Sequence, residues 1–547
     1  MAERGTHALL VPGKRLRALV ALLAITIVGA ALRLWTVTSR GLWLDEASQI
    51  GQFNGTVWDT IVSQVGGTHP PLYHICMHFW THWFGTSEFA LRSMSLCVGV
   101  VSIPVAYWAA TTIYDRRVGL LTATVVAFSP YHIWYSQEAR MYSMMFLFGL
   151  LSLGTFVIAL RENTFKRWLI YGIVTLFGLF TQYFFLLLLG GQFLYYFFVE
   201  FWGRLRRMRA ERRSLVLWRK PLLVFQDVPT LAPWLITYGI LAACVILWMD
   251  WAVFFPAAGE ARLVSSLTHT GLGYGAPPPS LAPRFNDIGM TLVEVISGFH
   301  APWMVYALVA MWPLLIYAAL LALGKGRAMR PESSFLLFSM ISGTLVIWSL
   351  GQWQGVVLLS RYLMAMSTAG AILVGVMLDS LKPKHRYALL AVALVIAVAA
   401  WFNQSTDGQS MGRYQNREAF TYVAKNYQPG DVVLYEPFYI DDLANYYLPK
   451  DISSSGLPMF SSTGVFRDTS EMMGQDLDRI VGPARRVWVV RGFQNVDDIK
   501  ANARKVSDWF ASNGYRRAEY IQLNKVEILR FEGDGSRKSP FTAVGQQ

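Results

Sequence analysis

Long apolar runs, separated by short polar stretches, recur along the first 400 positions of the chain. A helix rising ~1.5 Å per residue needs ~20 such residues to cross a bilayer core. On that rule, spans are predicted near 18–37, 89–112, 118–134, 141–160, 168–183, 185–201, 231–251, 303–323, 335–352, 363–380 and 387–402, about eleven in all. Within 168–201 the only polar break lies in FTQYFF. After position 402 the pattern changes. REAFTYVAKNY, DDLANYYL and DIKANARKVSDWFASNGY read as helices, whereas DVVLYEP, RRVWVVRGF and KVEILRFE read as strands. Such alternation predicts a small α/β domain over 403–547, following a membrane domain over 1–402. It carries no Gly-rich phosphate loop. A Gly/Pro-rich loop, GLGYGAPPPSLAP, interrupts the membrane part at 271–283.

Composition agrees with a polytopic helical membrane protein. Hydrophobic residues make up 54% of the 547 positions and charged residues only 15%, against ~25% charged in soluble domains. The first run is too long for the core of a signal peptide, and no small-residue cleavage site follows it, so it reads as a retained anchor. Cys76, Cys97 and Cys244 lie in apolar stretches without metal-ligand spacing, and no disulfide framework follows from them.

The net charge of +13 sits in the membrane part: 30 Lys and Arg face 17 Asp and Glu there, and the tail balances at 18 against 18. The excess lies in short loops such as YDRR, RENTFKR, GKGRAMRPE and KPKHR. This is a topology signal, with no nucleic-acid partner implied. Placing those loops in the cytoplasm puts the N-terminus inside and the C-terminal domain outside, the expected arrangement in a bacterial inner membrane.

In that topology the polar exceptions fall on the outer side. Asp45 and Glu46 follow the first span in RGLWLDEASQI, and THPPLYHICMHFWTHWFG (68–85) comes later in the same loop. YSQEARMYS (135–143) and SRYLMA (360–365) lie at later outer ends. Either carboxylate could serve as a general base, or the pair could simply cap a short helix. His69 stands before two prolines that set an extended approach to a helix. His74, His78 and His82 follow at helical spacing, which suits zinc or merely the wet face of an interfacial helix. Glu138 and Arg140 could pair with each other. Alternatively Arg140 and Arg361 clamp a phosphate, whose oxygens match guanidinium groups bidentately. Tyr135, Tyr142 and Tyr362 suit sugar stacking or the interfacial aromatic belt.

Taken in order, LWLDEA, HPPLYH, SQEARMY and RYLMA resemble the bacterial relatives of the protein O-mannosyltransferases, glycosyltransferase family 39 of the GT-C superfamily. HPPLYH is also similar to a turn of the lipid A aminoarabinose transferases. The resemblance spans roughly residues 15–440. It implies an inverting transferase that moves a sugar from a polyprenyl-phosphate donor to a hydroxyl on a protein, lipid or glycan. In such enzymes Asp45 would be the base and Glu46 its support, toward acceptor or metal. Arg140 and Arg361, with His69, Glu138, Tyr142 and Tyr362, would bind the donor. A divalent metal is allowed for, but Thr68-His69 stands where the aminoarabinose transferases carry Glu-Lys, and Thr68 cannot replace a metal-binding carboxylate. The loop at 252–302 could close over the donor and exclude water. The competing class is a transporter of lipid-linked sugars, which would place charges at the bilayer midplane, often within repeated halves. This chain shows neither pattern.

Overall fold

The computed structural model describes residues 12–53, 55–65, 69–210, 228–254, 331–354, 360–406, 414–436, 440–457, 477–492 and 497–533. The 303–323 span, the 271–283 loop, nearly all of the expected 252–302 lid, and Thr68 lie outside them. The chain divides into two compact units, one of residues 1–37 with 53–406 and one of residues 38–52 with 407–547.

The first unit is helical. Its elements are α1 (Pro12–Leu34), α3 (Val57–Val62), α4 (Leu72–Phe84), α5 (Glu88–Ile113), α6 (Arg116–Phe128), α7 (Pro130–Ser136), α8 (Tyr142–Glu162), α9 (Phe165–Thr181), α10 (Phe185–Tyr195), α11 (Trp202–Ala210), α12 (Leu231–Phe254), α13 (Pro331–Gln354), α14 (Met364–Ser380) and α15 (Pro383–Thr406). Among the described residues, eight helices are long and apolar enough to cross a membrane. Helix α5 packs on α6 and α8, and α14 lies against both α6 and α8. Small residues allow this closeness: a Cβ on Gly375 of α14 would meet Thr122 Oγ1 of α6 at 2.4 Å.

Two predicted spans have different bounds in the structure. The 118–134 run breaks after the 13-residue α6. Ser129 there takes an extended conformation, Pro130 opens α7, and the Ser129 hydroxyl accepts from the His132 N–H at 3.2 Å. A Ser-Pro pair favours a new helix start over continuation. At ~1.5 Å per residue, 13 residues reach ~20 Å, short of a ~30 Å bilayer core. Helix α9 has 17 residues and ends at Gln182, the polar break in FTQYFF. Beyond α10 the helix widens into a π-helical turn, Tyr196–Phe201, before α11.

The second unit holds a five-stranded sheet in the order β2-β1-β3-β5-β4. Its strands are β1 (Val432–Glu436), β2 (Ser454–Gly456), β3 (Arg486–Gly492), β4 (Tyr515–Leu523) and β5 (Val526–Gly533). β1 runs parallel to β2 and β3, whereas β5 is antiparallel to β3 and β4. Leu434, Val487, Val489, Leu529 and Phe531 from the sheet bury against Val506 and Phe510 of α18 (Asp497–Ser512). The other helices are α2 (Leu44–Ala47), α16 (Asn416–Asn426) and α17 (Asp441–Tyr447). Beneath the sheet's surface Arg491 bridges Glu436 at 2.7 Å and Glu527 at 3.2 Å, and Asn502 donates to the other oxygen of Glu436 at 2.6 Å.

Candidate active site

In the helical unit the site is built on a polar stretch that is buried without interruption from Pro130 to Phe146. Burying SQEAR requires partners for its backbone and side chains. The first is Arg33, at the end of α1 and wholly buried. Its guanidinium donates to Gly29 O at 2.8 Å, to Val126 O and Ala127 O at 3.0 Å, to Ser136 Oγ at 3.2 Å and to His132 Nδ1 at 2.6 Å. It thus satisfies the last-turn carbonyls of α6 and fixes α7 beside them. Gln137 Nε2 donates back to Arg33 O at 2.7 Å. Helix α5 presses in from the other side, where a Cβ on Gly99 would lie 2.2 Å from Ser136 Oγ. Ser95 of α5 donates to Arg140 O at 3.0 Å, and Ser143 to Tyr135 O at 2.9 Å.

The turn so held presents Glu138 and Arg140, both buried. Arg140 Nη2 lies 2.9 Å from His69 Nε2, and the Gln182 side-chain amide lies 3.3 Å from His69 Nδ1. Pro71 precedes α4, as the sequence predicts, and leaves His69 just before the helix. Burial, then the positive charge of Arg140, holds His69 well below the ordinary imidazole range. A neutral ring can accept from Arg140 through Nε2.

Arg361 stands in a single turn, Ser360–Leu363, before α14. Tyr131 Oη donates to Ser360 O at 2.6 Å, tying that turn to α7. The Arg361 guanidinium lies 5.7 Å from the Tyr362 ring centre, and Tyr362 stacks on Phe184 at 4.1 Å. Tyr142 is buried with its ring 4.9 Å from Tyr135. His69, Glu138, Arg140, Tyr142, Arg361 and Tyr362 thus all belong to the helical unit.

Asp45 and Glu46 belong to the other unit, on the short helix α2. The two carboxylates differ there. Glu46 is buried, and its Oε2 accepts from the Trp43 N–H at 3.3 Å, the cap that closes the start of α2. Asp45 is half-buried, and its backbone carbonyl accepts from Gln49 Nε2 at 2.5 Å.

The three helical histidines do not act together. His74 is buried, its ring stacked 6.4 Å from that of His69. His78 Nδ1 lies 3.1 Å from Phe53 O, and His82 is exposed. Among the described residues no three His, Cys, Asp or Glu side chains converge as metal ligands. This histidine row does not fit a metal site.

Sequence reasoning overlooked Arg33, Gln182 and Tyr131. An arginine inside a predicted span was the available signal for Arg33, since such a residue must find partners. Gln182 was visible only as the break in FTQYFF.

Residues 68–217 match the family described as dolichyl-phosphate-mannose-protein mannosyltransferase. No curated protein sequence matches the chain. Among solved structures, ArnT from Cupriavidus metallidurans in the apo state superposes with a TM-score of 0.53 at 12% identity, covering 94% of this chain and 97% of that one. The same protein bound to undecaprenyl phosphate gives 0.52 at 12% identity, with 98% and 100% covered. The Archaeoglobus fulgidus oligosaccharyltransferase tethered with an acceptor peptide gives 0.52 at 13% identity, with 92% and 73% covered. The chain has the fold of the GT-C glycosyltransferases, as the ordered motifs predict.

Proposed function

We propose that this membrane protein is a GT-C glycosyltransferase that moves a sugar from a polyprenyl-phosphate-linked donor to a hydroxyl acceptor at the outer face of a bacterial inner membrane, with inversion at the anomeric carbon. The observation that carries the reading is the buried Arg140 held 2.9 Å from His69, with Arg361 in a turn that Tyr131 ties to α7. Phosphate is the leaving group of such a donor, and the guanidiniums of buried Arg140 and half-buried Arg361 stabilise the charge it gains. The match of residues 68–217 to a dolichyl-phosphate-mannose family, and a fold shared with a protein that binds undecaprenyl phosphate, support the same donor class.

In the proposed step Asp45 takes the proton of the acceptor hydroxyl as its oxygen bonds to the anomeric carbon. The bond from that carbon to the phosphate oxygen breaks, and the polyprenyl phosphate leaves with the electron pair. The phosphate needs no proton to leave, so one base and two cations form a sufficient set. Tyr362, stacked on Phe184, and Tyr142 offer ring faces to the sugar or prenyl chain. Glu138 helps order the Arg140 turn, since the Arg140 N–H donates to Glu138 O at 2.7 Å. Membrane lipids surround the spans and deliver the donor laterally.

The test is release of labelled sugar from a polyprenyl-phosphate sugar by membranes containing the protein. Asp45→Asn is expected to abolish turnover while retaining donor binding, and Arg140→Ala with Arg361→Ala to lose donor binding. Wild-type turnover by Asp45→Asn would remove the base assignment. Normal donor binding by the double variant would remove the clamp.

A further inference from the structure

The stretch 38–52 carries Asp45 yet folds with residues 407–547. It is anchored there by its backbone. The Leu42 N–H donates to Tyr447 Oη at 2.5 Å, across 405 positions of sequence. Arg417 of α16 donates through Nη1 to Thr38 O at 3.1 Å and through Nη2 to Ser39 O at 3.4 Å. Gly41 sits so close to α16 that a Cβ there would lie 2.8 Å from Arg417 Cβ and 3.1 Å from Tyr447 Oη. Leu42 is wholly buried.

These contacts matter because α2 has four residues. A helix that short has no stability of its own, since nucleation costs more than one turn returns. The direction in which α2 presents Asp45 is therefore set by what holds its approach. One hold is internal, the Glu46 cap on Trp43. The others come from α16 and α17.

We propose that the C-terminal unit is the positioning platform of the catalytic carboxylate. Tyr447 and Arg417 fix the peptide 38–42, which fixes the start of α2 and so the reach of Asp45. The inference rests on Asp45 being the base of the proposed reaction. Proton transfer requires heavy atoms within ~2.6–3.2 Å, and a misplacement of ~1 Å can cost about a hundredfold in rate. Loosening the anchor therefore lowers kcat. Donor affinity is untouched, because the proposed phosphate clamp lies on other residues.

The experiment uses full-length Tyr447→Phe, Arg417→Ala and Arg417→Lys proteins, with Tyr422→Phe as a control that loses a tyrosine hydroxyl bonded elsewhere, to Glu519. Tyr447→Phe and Arg417→Ala are expected to lower kcat about tenfold or more while changing donor KM less than about twofold. Arg417→Lys recovers part of the loss, and Tyr422→Phe leaves kcat unchanged. Hydrogen exchange gives a second readout, independent of turnover. Amides 42–49 exchange faster in Tyr447→Phe, while those of β3 do not. Wild-type kcat in both anchor variants, or unchanged exchange at 42–49, overturns the proposal. Full turnover by Asp45→Asn instead brings down the base assignment, and exchange then still decides whether the anchor exists.

Discussion

Asp45 and Glu46 are neighbours with different surroundings, and they are expected to respond differently to substitution. Glu46 is buried and caps α2 through an oxygen that glutamine also supplies, so Glu46→Gln keeps the cap. Asp45→Asn removes the proposed proton acceptor, a loss of about 10²–10⁴-fold in kcat. Glu46→Gln is expected to lose less than about tenfold, because capping is worth only ~1 kcal/mol. Parallel kcat measurements check the order, and a greater loss from Glu46→Gln would exchange the two roles. The buried histidines make a second prediction. Burial and then Arg140 lower His74 to about 3, and His69 also lies well below its ordinary range. In the unfolded chain both take a proton near pH ~6.5, but in the folded chain His74 stays neutral to about pH 3. Acid thus favours the unfolded state, and stability falls as pH drops from ~6.5 toward 3, by ~1.4 kcal/mol per pH unit for His74. Unfolding midpoints in detergent at pH 7.5, 6 and 5 should fall, and His74→Gln should flatten the slope. The candidate residues themselves were legible in the sequence because charge and imidazole stand out in apolar surroundings. Their partners were not, since Gln182 and Tyr131 carry no unusual chemistry until the fold brings them close.

Among the elements, the α6–α7 break has most consequence for the site. The apolar run at 118–134 hides it, although Ser129-Pro130 marks it locally. Arg33 supports the break by bonding the carbonyls of Val126 and Ala127 at the end of α6. Arg33→Leu leaves those buried carbonyls without that donor, at ~1–3 kcal/mol for each unsatisfied group. A lower unfolding midpoint, together with weakened donor binding through displacement of the SQEAR turn, is the expected outcome. Unchanged stability would mean that α7 is held by other contacts. In the sheet, β1, β3 and β5 were legible as compact apolar strands. β4 was not, because it is an edge strand whose Arg516, Arg517 and Glu519 break the apolar alternation. Edge strands often carry charge, which discourages pairing with other chains. Short β2 is defined by its pairing with β1 rather than by composition. In the same sheet, Arg491→Met leaves Glu436 buried without its ion-pair partner, a loss of ~3–5 kcal/mol, readable as earlier unfolding of this unit in a thermal scan.

At the scale of the whole molecule, the proposed orientation follows from the distribution of lysine and arginine among short loops. In a protein freed of Cys76, Cys97 and Cys244, a membrane-impermeant maleimide should label Asn445→Cys in intact cells. Lys384→Cys, exposed at the start of α15, should be labelled only after permeabilisation. The reverse pattern would invert the topology and remove the outer-face reaction. Hydrophobic periodicity by itself determined that the chain is a helical membrane protein with a separate α/β tail, because a bilayer demands long apolar helices whatever their packing. The ordered motifs pointed to the fold that the solved structures share. Tertiary structure alone decided how the site residues are grouped. It set Arg140 against His69, made Glu46 a cap while leaving Asp45 half-exposed, and folded residues 38–52 with the C-terminal unit. The physical reason is that apolar burial is short-ranged and periodic, so it is written locally in the chain. A hydrogen bond between Leu42 and Tyr447 depends on the packing of elements 405 positions apart, and no local pattern records it.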